Sequence, residues 1–591
     1  MSQATLDQPP TASAVTTIGE LWQRAVDAGR TRPAFLVEKD GVWSPVSWDE
    51  ATERVTALAN GFLSLGVEKG DKVAILCRTR LEWSLTDYAL STIGAIVIPV
   101  YPTSSPSEIA YILRDSETKL LLSEDEEQLA KTRDLEAELP ALERVIGIDV
   151  PGGGGTLDDV AEAGRAWGPS HPDALSRAAA QVGPDDVLTF LYTSGTTGNP
   201  KGCLLSHRNY VAMTDAVVAM SDLFRDDDTA LLFLPLAHNF ARLIQFTAAA
   251  VGFPLALCPD VRGVSAALAA VRPTLFPSVP RVYEKVHTAV KTAAAESGGV
   301  KSRLAEWAFA VGERTAKGDS GAVLALQHRL ADRLVLSKVR ARMGGRLRFA
   351  VSGGAPLAPE IARFFAACGV LILEGYGMTE CTTAATFNPP AGPRFGTVGP
   401  ALPGIELKLD TDGEILIRGA TVFGGYYRNP EATAETLTPD GWLRSGDIGT
   451  IDADGYLTIT DRKKDIIVTA GGKNVAPQVI ENMLKTSPYV SNAVVIGDNR
   501  PYIVALITVD ADEVKALGAP DSPEVHAAIA TGVEEVNGEL GRVEQIKRFT
   551  ILARDFSTEE GEVTATLKVK RRVVIDNFGD EIESLYAGPR T

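Results

Sequence analysis

Ten consecutive residues, Thr193-Ser194-Gly195-Thr196-Thr197-Gly198-Asn199-Pro200-Lys201-Gly202, follow directly on the apolar run Val187–Tyr192. A short apolar run bounded by glycines reads as a buried strand. The glycines let backbone N–H groups turn toward an anion, while the hydroxyls and Lys201 add donors and positive charge. A helix is expected next, capped by Ser206, with Tyr210, Met213, Val217 and Met220 on one face. The order is not that of the P-loop, G-x-x-x-x-G-K-[ST], because Pro200 precedes Lys201 and Gly202 follows it. A plain polar turn between strand and helix is the other reading of any such stretch.

Strand and helix patterns alternate around this loop. Lys72–Leu76 and Ile96–Val100 read as strands and Ser84–Ile93 as a helix, which predicts an α/β fold with parallel sheets. Pro151 to Gly155 reads as a loop tip, and the stretch from Pro280 to Gly345 as helical. From Gly413 strands dominate (GEILIRG, then GYLTIT) as far as Asp461. Beyond lies a separate α/β unit, with Val479, Ile480, Met483 and Leu484 at helical spacing and strands at Ala493–Ile496 and Ile503–Val509. The expected division is a flexible arm over 1–17, rich in Ser, Thr, Ala and Pro, a body over 18–461, and a C-terminal unit over 462–591.

Composition narrows the function classes. Over 591 residues, 58 Lys and Arg face 76 Asp and Glu, a net charge of −18, so no nucleic-acid partner is expected. The first nineteen positions hold no Lys or Arg and no compact apolar core, unlike a secretory signal. No apolar run reaches the ~18 residues that span a bilayer; the stretch Leu243–Cys258 is broken by Gln245 and Pro254. The five cysteines, Cys77, Cys203, Cys258, Cys368 and Cys381, are never closer than thirteen positions. That spacing excludes CxxC pairs and fits a reducing cytoplasm. HExxH and G-x-S-x-G are both absent, which removes zinc-protease and nucleophile-elbow chemistry. A cytoplasmic enzyme is expected.

Two further strands end in glycine loops. Leu347–Val351 leads to Ser352-Gly353-Gly354-Ala355-Pro356, and after a helix burying Ile361, Phe364, Phe365 and Cys368, Val370–Leu373 leads to Glu374-Gly375-Tyr376-Gly377-Met378-Thr379-Glu380. Successive parallel strands deliver such loops to one carboxyl edge, where open α/β sheets place ligands. There Tyr376 can stack on a purine, Thr379 donate to a phosphate and Glu380 hold Mg²⁺ through oxygen. Singly, each has a plainer reading as a core tyrosine, a turn threonine and a solvated glutamate.

YTSGTTGNPKG resembles the phosphate-loop signature of the adenylate-forming synthetases, which include acyl-CoA ligases, luciferases and carrier-protein adenylation domains. EGYGMTE is similar to that family's EGYGxTE, and Gly441-Trp442-Leu443-Arg444-Ser445-Gly446-Asp447 to its GWxxTGD, with Ser445 where Thr is usual. Thr564 to Arg571 resembles the TPTLKxKR form of the catalytic-lysine motif, with Ala565 in place of Pro. Within the family, Leu234-Pro235-Leu236-Ala237-His238-Asn239-Phe240-Ala241-Arg242 and Val279-Pro280-Arg281-Val282-Tyr283-Glu284-Lys285 are similar to segments of long-chain acyl-CoA synthetases.

The resemblance implies a large body with a small β-barrel-like part and a mobile C-terminal lid. It implies ATP and nucleotide contacts from Thr193, Ser194, Gly195, Thr196, Thr197, Gly198, Lys201, Gly353, Gly354, Ala355, Glu374, Gly375, Tyr376, Gly377, Thr379, Asp447 and Arg462. Catalytic roles fall to Lys568, Thr193, Lys201 and Glu380, with Mg²⁺ on Glu380. His238 and Gly377 line the acyl end, while Lys464, Gly471 and Gly472 serve the hinge and CoA. The implied reaction is ATP-dependent activation of a long-chain fatty acid followed by transfer to CoA. The alternative is a fatty acyl-AMP ligase that delivers its adenylate to a carrier protein. Peripheral membrane contact and a homodimer stay open.

Overall fold

The apolar runs pair side by side as parallel sheets with antiparallel edges. A computed structural model of the chain describes residues 15–587 except 134, 136, 137, 194–198, 221, 222, 516, 558 and 565–567. One sheet has six strands, in the order Arg144–Gly147, Leu120–Ser123, Lys72–Leu76, Ile96–Val100, Val187–Thr193 and Lys201–Ser206. The other has eight, in the order Thr386–Phe387, Ile372–Tyr376, Phe349–Ser352, Leu275–Ser278, Ala230–Leu232, Leu255–Leu257, Phe35–Lys39 and Val42–Val46. Helices such as Leu81–Ile93 and Asn239–Val251 are buried nearly all round, as expected where they fill the space between sheets.

One strand was missed in the sequence and another runs longer than expected. The helix capped by Ser206 forms as expected, but Lys201–Ser206 before it is a strand paired antiparallel with Val187–Thr193, which sets Lys201 opposite Thr193. Cys203 and Leu205 are buried on it, and this alternation of apolar positions is what a strand needs. The helix His207–Val218 begins only after Ser206, whose hydroxyl accepts from the Asn209 amide at 3.3 Å. Similarly, the strand expected to stop at Leu373 runs on to Tyr376, because Gly375 and Tyr376 pair with Phe387 and Thr386. At the N-terminus, Val15 and Thr17 are buried, and Thr17 caps the helix Ile18–Asp27; residues 1–14 of the expected arm lie outside the described residues.

The barrel-like part is an open antiparallel meander of four strands, Ile405–Leu409, Glu414–Gly419, Leu443–Ile451 and Leu457–Arg462. After Arg462 comes a three-stranded sheet of Val490–Ile496, Ile503–Val509 and Ile546–Ile551, with a hairpin of Ile467–Val468 and Asn474–Val475. The buried residues of this C-terminal unit form apolar clusters of their own, apart from the core of the body. Among the described residues no helix is long and apolar enough to cross a membrane. All five cysteines are buried and unpaired, and burial pushes their thiols up, to about 12 for Cys368 and Cys381.

Candidate active site

The carboxyl ends of Val187–Thr193, Phe349–Ser352 and Ile372–Tyr376 open on one cleft of about 2200 Å³ between the body and the C-terminal unit. Thr193, Lys201, His238, Gly353, Gly354, Ala355, Glu374, Gly375, Tyr376, Gly377, Thr379, Glu380, Asp447, Arg462, Lys464 and Lys568 all line it. Ser194, Gly195, Thr196, Thr197 and Gly198 lie outside the described residues. Gly471 and Gly472 do not reach the cleft lining; they form the turn of the Ile467–Val475 hairpin, with Gly472 at φ +72°.

Lys568 crosses from the C-terminal unit to the body. A Cβ added at Gly354, which holds φ +86°, would stand 3.7 Å from the Lys568 Cε and 3.9 Å from its Nζ. The positive φ favours glycine there, and those distances are ordinary contact, so the Lys568 ammonium lies directly over the Gly354 backbone. Lys568 stays open to the cleft, yet the surrounding walls push its ammonium down to about 8, with Arg462 adding to the effect and Asp447 and Glu380 opposing it. Across the same cleft His238 caps the helix Asn239–Val251, its Nδ1 accepting from the Phe240 amide at 3.1 Å. Burial first, then the charge of Lys568, hold its ring down to about 3, so it is neutral at pH 7.

The helix Pro280–Glu296, which opens with the Pro280-Arg281-Val282-Tyr283 segment, fixes the C-terminal unit in this position. Its Arg281 Nη2 donates to Ser491 Oγ at 2.8 Å and lies 3.5 Å from Asp510 Oδ2, while Thr292 donates to Glu513 Oε2 at 2.9 Å.

Two polar groups meet deeper in the cleft. The Tyr376 hydroxyl donates to Asp447 Oδ2 at 2.6 Å, and Arg462 Nε lies 3.1 Å from Asp447 Oδ1. Each carboxylate oxygen has a second lone pair, so Asp447 can still accept from two further donors. The Asp447 amide donates to Ser445 Oγ at 3.0 Å, so serine at this position keeps the hydroxyl contact. Glu380 accepts at Oε1 from the Tyr426 hydroxyl at 2.7 Å, and Lys201 Nζ sits 5.2 Å from the centre of the Tyr426 ring. Tyr426 therefore links the loop lysine to the carboxylate. Sequence reasoning missed it, although the Gly424-Gly425-Tyr426-Tyr427 run was its signal; the Tyr427 amide donates to Gly202 O at 2.8 Å, laying this segment beside the strand Lys201–Ser206.

Glu374 is only 7% accessible; among the described residues its Oε1 has no partner, and its Oε2 accepts from the Leu357 amide at 3.4 Å. Burial raises its carboxyl to about 7. Gly377 is required for another reason: a Cβ there would lie 2.3 Å from the Thr383 carbonyl oxygen. Beyond His238 the cleft turns apolar, lined by Val217, Leu223, Phe224, Leu243, Ile244 and Thr247. Behind this wall Arg242 lies fully buried, with Nη2 2.6 Å from Asp87 Oδ1, while Gln245 donates to Asp87 Oδ2 at 2.9 Å.

No group of three His, Cys, Asp or Glu able to hold a metal ion occurs among the described residues. One cleft carboxylate, Glu380, suits a magnesium ion that arrives on a polyphosphate, because Mg²⁺ takes one or two protein carboxylates and fills its other positions with phosphate oxygens and water.

Comparison with known proteins agrees with this arrangement. Residues 22–427 match the AMP-binding enzyme family and residues 464–590 its C-terminal domain. The chain is 41% identical over 582 residues to the long-chain-fatty-acid–CoA ligase FadD15 of Mycobacterium bovis, covering 94% of this chain and 95% of that protein. It is 31% identical to the long-chain-fatty-acid–CoA ligase ACSBG2 of Xenopus laevis, over 96% of this chain and 84% of that one. Among solved structures, the adenylation domain of a carboxylate reductase from Mycobacterium chelonae superposes with a TM-score of 0.78 at 23% identity, over 98% of this chain and 92% of that one. ATP-bound MatB from Rhodopseudomonas palustris superposes with a TM-score of 0.71 at 25% identity, over 95% and 99%. On its matched span, its cleft and its fold, this chain belongs to the AMP-binding enzyme family of adenylate-forming synthetases.

Proposed function

We propose that this protein is a long-chain fatty acid–CoA ligase of the cytoplasm. The observation that carries the reading is the seat of Lys568 over Gly354, in a cleft with a polar nucleotide-sized end and an apolar arm. The identity to FadD15, over nearly the whole of both chains, supports the substrate class and does not favour the carrier-protein alternative.

In the first half-reaction a carboxylate oxygen of the fatty acid attacks the α-phosphorus of ATP, and the bond from that phosphorus to the β-phosphate oxygen breaks to release pyrophosphate. A fatty acid is already ionised at pH 7, so no general base is needed. The difficulty is charge. Unit negative charges ~4 Å apart repel by roughly 4 kcal/mol at an effective dielectric of 20. Lys568 opposes this where the carboxylate meets the α-phosphate, and Lys201 and Thr193 hold the departing phosphates. Magnesium, when bound, supplies Lewis-acid neutralisation of the phosphate oxygens beside Glu380. Asp447 accepts from the ribose hydroxyls, with Tyr376 and Arg462 fixing its orientation, and Gly353, Gly354, Ala355, Gly375 and Gly377 leave the base and sugar close to backbone. Neutral His238 lines the carboxylate end of the acyl channel, and the hydrocarbon chain runs past it into the apolar arm. Each buried CH₂ gains ~0.8 kcal/mol, so the arm rewards length but discriminates weakly between neighbouring lengths.

In the second half-reaction the CoA thiol attacks the acyl carbon of the mixed anhydride, and AMP leaves. Gly471 and Gly472 lie off the cleft in this arrangement, so the C-terminal unit turns about Lys464 to bring them to the acyl group. The test is an assay of purified protein with MgATP and a panel of fatty acids, scored for pyrophosphate and AMP with and without CoA. Turnover of long-chain acids that requires CoA and yields acyl-CoA is expected. Release of pyrophosphate once per enzyme, whether or not CoA is present, would overturn the ligase reading in favour of an acyl-AMP donor.

A further inference from the structure

One helix of the body turns an apolar stripe outward. Residues 322–342 run without a break through the helix Ala322–Ala331, a π-turn at Asp332–Leu336 and the helix Ser337–Arg342. Its inner side, at Leu324, Ala331, Leu336 and Val339, is buried, and Arg340 pins it by pairing with Asp332 at 2.6 Å and donating to the Cys368 carbonyl at 2.9 Å. On the outer side Val323, Leu326 and Leu330 are 72%, 69% and 51% exposed. Their spacing, i, i+3 and i+7, puts them on one face. Scattered surface leucines are ordinary, whereas an aligned apolar row marks an interaction face.

Charge identifies what that face meets. Between positions 299 and 346 there are ten Lys and Arg against four Asp and Glu, in a chain whose net charge is −18. Three of those acids are already taken, by Lys317 on Glu313 at 2.8 Å, Arg314 on Asp319 at 3.2 Å and Arg340 on Asp332 at 2.6 Å. Among the described residues Arg329, Arg333, Lys338, Arg342 and Arg346 are exposed and have no acidic partner. Arg329 and Arg333 flank the apolar row on its own face, and Lys338 and Arg342 continue it. A convex row of aliphatic side chains bordered by unneutralised cations is the pattern of a helix lying in a lipid interface, where acyl burial and attraction to anionic headgroups act together. A nucleic acid would use the cations but not the leucines.

We propose that the outer face of the helix Ala322–Ala331, with its basic continuation to Arg346, docks this protein on an anionic phospholipid surface. The proposal stands on this surface alone and not on the reaction assigned to the cleft. Its test is co-sedimentation of the full chain with vesicles of phosphatidylcholine, with and without phosphatidylglycerol. The wild type is expected to bind the phosphatidylglycerol vesicles, to let go as salt rises, and to stay in the supernatant with phosphatidylcholine alone. The triple variant Val323→Ser, Leu326→Ser and Leu330→Ser is expected to bind at least about tenfold more weakly. Arg329→Glu with Arg333→Glu removes two cations worth about fivefold each and is expected to lose at least 25-fold, with a flatter salt dependence. Both variants touch only solvent-facing positions, and unchanged thermal midpoints and turnover of a short, water-soluble acid establish that they are folded. Wild type that ignores both vesicle types, or variants that bind as wild type does, would overturn the proposal. So would a wild-type dimer that the triple variant converts to monomer without any vesicle binding, because the face would then belong to a second copy.

Discussion

Lys568→Ala removes the C-terminal ammonium seated over Gly354. A positive charge ~4 Å from a developing negative charge is worth about 4 kcal/mol at an effective dielectric of 20. That figure suits a water-lined cleft better than the value for a dry interior. At about 1.4 kcal/mol per tenfold, adenylation should slow by about 10³-fold. The pH profile adds an independent reading. The free-enzyme ammonium is held down to about 8, so its charged form is complete below that pH and fades above it. The kcat/KM for ATP should be flat up to about pH 8 and then fall with a one-proton slope. Bound triphosphate favours the ammonium, so the inflection in kcat should lie higher than that in kcat/KM. Lys568→Arg should abolish both inflections, because a guanidinium does not titrate in this range. Pyrophosphate release in single turnover measures adenylation alone, and transfer from supplied acyl-AMP to CoA measures the second step. If Lys568→Ala makes acyl-AMP at the wild-type rate, or if the wild-type inflection survives in Lys568→Arg, the lysine is not the group that opposes the charge.

Three further outcomes are expected. Glu374 carries a carboxyl raised from 4.5 to about 7 by burial, so the native state binds more protons than the unfolded chain between those values and stability falls as pH rises through them. Glu374→Gln should therefore raise the urea midpoint at pH 8, by up to about 3 kcal/mol in unfolding free energy, and flatten its pH dependence between 5 and 7; a lower midpoint at pH 8 contradicts this. Arg242→Met strands the Asp87 carboxylate, which is fully buried, and should cost about 3–5 kcal/mol in denaturant unfolding, most of it restored by adding Asp87→Leu. Equal losses in the single and double variants would refute the coupling. Arg281→Ala breaks the tie to Ser491 and Asp510 and should slow adenylation about fivefold to thirtyfold while leaving transfer from supplied acyl-AMP unchanged; equal slowing of both steps would show that Arg281 does not favour one lid position.

The two glycine-loop strands were legible because short apolar runs bounded by Gly have few other readings. Lys201–Ser206 was not: a strand of six residues that starts with Lys-Gly carries too little period to separate it from the helix behind it. Its partner settles the matter, and pairing is a long-range property. Tyr376 and Asp447 were found separately, yet their 2.6 Å hydrogen bond joins residues 71 positions apart, which no local spacing encodes. Tyr426 escaped for the same reason, since its work is done on Glu380 and beside Lys201. Glu374 was picked out as part of a motif, but its unpartnered oxygen is a matter of packing. The C-terminal unit that carries Lys568 is tied to the body through Arg281 and Thr292; the first lies in a segment picked out by resemblance and the second in one that reads only as helix, and neither reading shows a partner more than two hundred positions away.

The five buried thiols have a practical consequence at the bench. Thiolates, not thiols, react with disulfide reagents, and every cysteine here is both enclosed and shifted upward. A chromogenic disulfide added to samples withdrawn from the reaction should therefore develop colour from the remaining free CoA and almost none from native protein, so the second half-reaction can be followed point by point as the loss of one small-molecule thiol. The same enclosure makes the rate of protein labelling a clock for unfolding, since each cysteine becomes visible only when the fold around it opens.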